Sequence, residues 1–180
     1  MNSDFCNFLH KSIIFPRFFN FISKNLSGNS LEIGCGIGKT TQLIAEKYNK
    51  LKIIAIDYDK EQINIAKKNK NLRNAKFFQG DAINLKFKDS SFDYVMETNT
   101  LHHIKDYIKV IKEVYRVLKK NGIFYLMDIS KYLFIWPLRL FFPPESYFSK
   151  KELIMQLEDN GFRVEKSSGS LLFFIAARKI

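Results

Sequence analysis

The chain has 180 residues, 46% of them hydrophobic, which suits one globular domain with a full core. Two cysteines exclude a disulfide framework, and no apolar run approaches the roughly 20 residues that cross a bilayer, so a reduced, cytoplasmic setting is expected. The formal net charge of +11 is mostly lysine spread along the chain, so a solvated basic surface is the plain reading, set against nucleic acid, anionic lipid or an acidic substrate.

Polar residues Asp4, Asn7, His10 and Lys11 interrupt the apolar start, and no signal peptide is read there. Residues 5–25 are aromatic-rich and suit short helices around Pro16. A strand is expected over 29–34 and a helix over 39–48, where Leu43, Ile44 and Tyr48 recur at helical spacing. "LKIIAID" (51–57) is a continuous apolar run ending in an acid, the mark of a strand buried on both faces of a parallel sheet. A helix over 60–70, a short strand over 75–79 and a strand over 91–98 follow. Ile104, Ile108, Ile111, Tyr115 and Leu118 form one helical stripe, and Asn121–Gly122 is expected to end it ahead of the strand "IFYLMDI". Ser149 and Glu152 make a capping-box pattern before Leu153, Ile154 and Leu157. Two strands, 162–167 and 171–178, close the chain as an antiparallel pair. Strand–helix alternation predicts an α/β, doubly wound, mostly parallel seven-stranded sheet with helices on both faces and an antiparallel C-terminal strand.

"LEIGCGIGKTT" (31–41) runs from strand through glycines into helix. A hydrolase phosphate loop would need glycine where Ile33 stands. The dinucleotide fingerprint would need its third glycine at Lys39. What remains is an acid followed by alternating glycines: Glu32, Gly34, Gly36, Gly38.

That loop resembles the first motif of the class I S-adenosylmethionine-dependent methyltransferases. Asp57 ends the second strand, Asp81 follows the third in "FFQGDA", "SFDYVMETNTLHHI" matches the fourth strand and its turn, and "RVLKKNGIFYLMDI" resembles the turn that follows. Lys120–Asn121 replaces that family's usual Pro-Gly. The resemblance covers about residues 28–130 and is closest to the group that includes the quinone-biosynthesis enzymes. It implies a Rossmann-like fold and S-adenosyl-L-methionine as cofactor. It also implies one domain over 1–180: a helical cap (1–27), a cofactor core (28–130), a substrate roof (131–149) and a terminal helix and hairpin (150–180).

By the same resemblance Gly34, Cys35, Gly36 and Gly38 host the methionine arm, Glu32 helps hold its ammonium, and Thr40 or Thr41 adds a hydroxyl. Asp57 takes the ribose diol, Tyr58 flanks the adenine, and Asp81 with the Ala82 backbone reads the adenine edge. Glu97, Thr98 and Asn99 leave the fourth strand toward the transfer site. His102 and His103 are weak catalytic candidates that equally suit a helix start; no cluster at metal-ligand spacing accompanies them. Methyl transfer from a sulfonium needs positioning more than a dedicated base.

The flanks 1–25 and 130–149 are aromatic, with Phe5, Phe8 and Phe15 in the first and Phe134, Trp136 and Phe141 in the second. They read either as a satellite core or as the roof over a small hydrophobic, aromatic or lipid-like acceptor met at a membrane surface. No nucleic-acid motif is evident, so no nucleic-acid partner is expected. A second reading is an inactive cofactor-binding partner that stabilises another protein.

Overall fold

The computed structural model describes residues 15–68, 72–133 and 148–180. Seven strands lie in one sheet: β1 (Gly28–Ile33), β2 (Leu51–Asp57), β3 (Ala75–Gln79), β4 (Phe92–Thr98), β5 (Leu118–Ile129), β6 (Phe162–Gly169) and β7 (Leu172–Lys179). Their spatial order is β3-β2-β1-β4-β5-β7-β6. The first five are parallel neighbours, and β7 inserts antiparallel between β5 and β6. The predicted doubly wound architecture is therefore the observed one.

Burial explains the helices' places. Helices α1 (Phe15–Phe21), α2 (Lys39–Lys47) and α3 (Lys60–Ala66) cover one face, through Phe18, Ile44 and Ile63. Helices α4 (Tyr107–Val117) and α5 (Lys150–Asp159) cover the other, against Leu31, Val95, Phe124 and Ile175. The described part of the aromatic N-terminal flank is thus core, with Phe21 lying 5.6 Å from Phe174 between ring centroids. The remaining flank positions, including Phe5, Phe8, Phe134, Trp136 and Phe141, lie outside the described residues.

The α4 stripe is largely the expected one: Ile111 and Leu118 are buried, and Ile104 and Tyr115 pack against the same core, while Ile108 is exposed. Ile104 lies ahead of the helix, just past a 3-10 turn at Leu101–His103, and within the helix Val110, Ile111, Val114 and Val117 are buried. Each fully buried aliphatic side chain contributes about 1.5–3 kcal/mol, so the four-residue stripe anchors the helix. The helix also ends earlier than predicted, at Val117; Asn121, with φ 65°, sits in an irregular start of β5, where the register to β4 shifts.

The capping box at α5 is present: the Glu152 amide donates to Ser149 Oγ, and the Ser149 amide donates to the Glu152 carboxylate. Ser149→Ala is expected to cost about 1 kcal/mol, visible as a melting temperature about 2–4 °C lower in a thermal scan. An unchanged melting temperature would remove the box as a stabilising element.

Candidate active site

Strand order reverses between β1 and β4, the place where open α/β sheets leave a crevice beyond their carboxyl ends. A cleft of about 720 Å³ opens there, lined by the glycine loop, the ends of β2 and β3, and the turn after β4. The loop is pinned by its neighbours. The amides of Gly34 and Cys35 both donate to the Ile56 carbonyl, at 2.8 and 3.0 Å. The Gly36 amide donates to Asp57 Oδ2 at 2.8 Å, and the Asp59 amide donates to Asp57 Oδ1 at 2.9 Å. Each Asp57 oxygen keeps a lone pair for a further donor in the cleft.

Of the residues expected from sequence, Gly34, Gly36, Asp57, Tyr58, Asp81, Ala82 and His103 line this cleft. Tyr58 is 76% exposed, as a ring waiting at the rim would be. Asp81 Oδ1 accepts from the Ile83 amide at 3.0 Å, so one oxygen shapes the turn and the other remains to face a ligand.

Other expected residues are not brought to the cleft walls. Cys35 is buried among Ala55, Ile63, Ala66 and Phe77, on the far side of the loop, because a strand's continuation alternates faces. Its thiol is pushed well above the usual range by burial, then by the Glu32 and Asp57 charges. Gly38 (φ 82°) caps α2, and a Cβ there would stand 2.9 Å from the Phe77 ring; its role is helix packing rather than close approach to a cofactor. Thr98 is almost wholly buried, and Glu97 is turned beneath the turn that follows β4. Of the three residues expected at the end of β4, Asn99 does reach the cleft wall, and Thr100 joins it.

Two buried carboxylates carry the electrostatics. Among the described residues, neither oxygen of Glu32 nor the Thr41 hydroxyl has a hydrogen-bond partner that meets the usual geometry. Burial pushes the Glu32 carboxyl up to about 7; the nearby Thr41 hydroxyl opposes this and the Asp57 charge adds to it. An acid raised on folding favours its protonated form. The ligand-free fold therefore loses stability as pH climbs from 4.5 to about 7 and is level above that, a penalty of about 3 kcal/mol at most. Glu32→Gln is expected to raise the melting temperature at pH 8 and barely change it at pH 4.5. A gain of equal size at both values would contradict this.

The second carboxylate, Glu97, accepts from the amides of Thr100 and Leu101 through Oε1, while its buried Oε2 has no hydrogen-bond partner among the described residues. Burial and the neighbouring Asp128 raise it well above the usual carboxylate range. Asp128, on β5, is fully buried; its Oδ1 meets His102 Nδ1 at 2.6 Å and its Oδ2 accepts from the His102 amide at 3.3 Å. His102 is thereby locked in place, and its ring lies 4.0 Å from that of His103, which faces the cleft. Asp128 was not singled out from sequence. The available signal was an acid inside the apolar run "FYLMDI", a position that burial makes costly without a partner.

The cleft suits a nucleoside joined to an amino acid. A carboxylate with spare lone pairs stands at the end of β2 for a diol. At the β4 turn Asn99 (φ 55°), on the cleft wall, has a side-chain oxygen with no hydrogen-bond partner among the described residues, an acceptor suited to an ammonium. Doubly wound sheets with this arrangement are nucleoside-cofactor domains. The family model described as "Methyltransferase domain" matches residues 31–126, more than half of the chain. The chain belongs to that family, whose S-adenosylmethionine-dependent members take S-adenosyl-L-methionine as cofactor.

Similar proteins agree. A demethylmenaquinone methyltransferase of Staphylococcus epidermidis is 33% identical over 104 residues, covering 57% of this chain and 43% of that protein. A ubiquinone/menaquinone biosynthesis C-methyltransferase of Rickettsia prowazekii is 36% identical over 115 residues, covering 59% and 46%. The matched stretch thus spans less than half of either relative. The solved structure of a SAM-dependent methyltransferase from Methanosarcina mazei superposes with a TM-score of 0.73 at 26% identity, over 92% of this chain and 97% of that one.

Proposed function

We propose that the chain transfers a methyl group from S-adenosyl-L-methionine to a small, hydrophobic, aromatic acceptor that gives up a proton. The observation that carries the proposal is one cleft with two walls. The Asp57 carboxylate stands beside the glycine loop on one side, and His103, backed by the Asp128-oriented His102, stands on the other. The names of the two relatives, which concern quinone biosynthesis, support an aromatic, lipid-like acceptor class.

When bound, the cofactor supplies an already activated methyl on its sulfonium. Everything else falls to the chain. Asp57 grips the sugar hydroxyls; Asp81 and the Ala82 backbone meet the base; Asn99 Oδ1, with Glu32 behind the loop, balances the ammonium. Cys35 and Gly38 support the loop rather than touch the ligand, and Thr98 with Glu97 supports the β4 turn. The histidine pair takes up the acceptor's proton, with Asp128 fixing the His102 ring from behind. A peripheral membrane contact would bring a lipid-like acceptor to the cleft. Among the described residues no helix is long and apolar enough to cross a membrane.

The test is tritiated methyl incorporation into a cell extract, which also yields the labelled acceptor. With that acceptor, His102→Gln is expected to lower kcat about 100-fold while leaving cofactor affinity unchanged. Its rate should then climb with pH as the acceptor ionises unaided, whereas the wild-type profile levels off. An unaffected kcat would remove the base and leave family membership intact.

A further inference from the structure

One half of one sheet face has no helix. Side chains of Lys52, Ile54 and Ile56 on β2 share a face with Lys76 and Phe78 on β3, because the parallel register pairs Ile54 with Lys76 and Ile56 with Phe78. Helices α2 and α3 pack on the opposite face, and α4 packs farther along the sheet against β5. Between β3 and β4 the chain crosses as the irregular stretch 80–91. What remains is a trough of about 280 Å³ walled by Ile54, Ile56, Phe78, Leu85 and Phe87, with Phe78 46% exposed.

The trough opens at its far end into a basin of about 690 Å³ at the amino ends of the strands, with Ile54, Lys86 and Phe87 common to both. Five cations line the basin: Lys52, Arg73, Lys76, Lys86 and Lys88. Among the described residues no carboxylate lines it. Lys86 Nζ donates to Asn84 Oδ1 at 3.0 Å, and none of the five is in a salt bridge among the described residues. Asp93 on neighbouring β4 is matched by Lys119 at 2.8 Å. Five like charges gathered in one concavity repel one another and focus a positive field, a cost that an anion cancels. The apolar trough leading from it suits a hydrocarbon chain that would otherwise face water.

We propose that this trough and basin form a second ligand site for an anionic amphiphile, which meets the cofactor cleft only where Ile56, Gly80 and Asp81 line both. The chain of that ligand lies over Ile54 and Phe78, and its phosphate-type head sits among Lys52, Arg73, Lys76 and Lys88. Charge complementarity selects the head and the aromatic-aliphatic walls select the tail. A nucleic acid would satisfy the basin but has no use for the trough. The head-binding basin stands independently of methyl transfer, since none of its lining residues lines the cofactor cleft.

Calorimetry on the full chain tests it with monomeric dodecyl phosphate, inorganic phosphate and dodecyl maltoside. Dodecyl phosphate is expected to bind once per chain, at least tenfold tighter than either control. Lys76→Glu with Lys88→Glu should weaken it tenfold or more, and Phe78→Asp by a similar factor, with S-adenosylmethionine affinity unchanged in both as proof of folding. Sedimentation with phosphatidylglycerol and phosphatidylcholine vesicles separates the two sources of such a head. Capture by the anionic vesicles alone, lost in both variants, places the ligand in a membrane; binding of the monomer alone makes it a free amphiphile. Equal affinity for dodecyl maltoside, indifference to the substitutions, or a short RNA binding in place of either amphiphile would overturn the proposal.

Discussion

Asp57→Ala is expected to weaken S-adenosylmethionine binding a hundredfold or more, measured by calorimetry. The side chain has two duties. One is the pair of acceptor oxygens that we assign to the ribose diol, each charge-assisted hydrogen bond being worth about 1.5–3 kcal/mol. The other is visible in the ligand-free fold: Oδ2 holds the Gly36 amide and Oδ1 the Asp59 amide. Alanine removes both, so the loop loses its tie as the ligand loses its anchor. Asp57→Asn should be milder, about tenfold, because an amide oxygen replaces one acceptor while its NH₂ faces a donor. The milder variant separates the duties: its melting temperature should fall if the ties to the loop matter by themselves. Unchanged affinity in Asp57→Ala would end the assignment of this carboxylate to the cofactor.

Gly34→Ala is the second large effect, and it acts on the fold before the chemistry. The residue sits at φ 70°, and an added Cβ would lie 2.1 Å from Thr100 Oγ1 and 2.3 Å from its Cγ2. Thr100 cannot step aside easily, since its amide is held by Glu97 and its hydroxyl lies 3.4 Å from the Gly34 carbonyl. The left-handed backbone costs about 1–2 kcal/mol for alanine, and overpacking adds 1–3 kcal/mol. A loss of about 3 kcal/mol should lower the melting temperature by about 10 °C in a chain of this size. Adding Thr100→Gly to Gly34→Ala should recover the overlap but not the backbone strain, leaving about half of the loss. If Gly34→Ala melted with the parent protein, the close approach of loop and turn would be wrong.

The glycine spacing was legible in the chain, but the reason for each glycine was not. Alternation at 34, 36 and 38 announces a bend that ordinary residues resist. Whether a glycine lines the cleft, as Gly34 and Gly36 do, or meets a neighbouring ring, as Gly38 does with Phe77, depends on which elements meet there. The α4 stripe shows the same division. Its spacing was plain, yet the exposure of Ile108 and the burial of Val110, Val114 and Val117 depend on which core residues the helix meets. The histidine pair was visible as "LHH", while the buried partner that orients His102 lies 26 residues away.

Local chemistry determined what a short window can hold. Apolar runs set the strands, Ser149 and Glu152 set a helix start, and acids at the ends of β2 and β3 marked a nucleoside cleft. Only the tertiary structure decided which acids became partnered, which glycines touched what, and which half-face of the sheet stayed bare beside five cations. The physical reason is range. Hydrophobic periodicity and capping act over a few residues, whereas burial, charge pairing and close contact depend on the register between strands that the chain brings together from far apart.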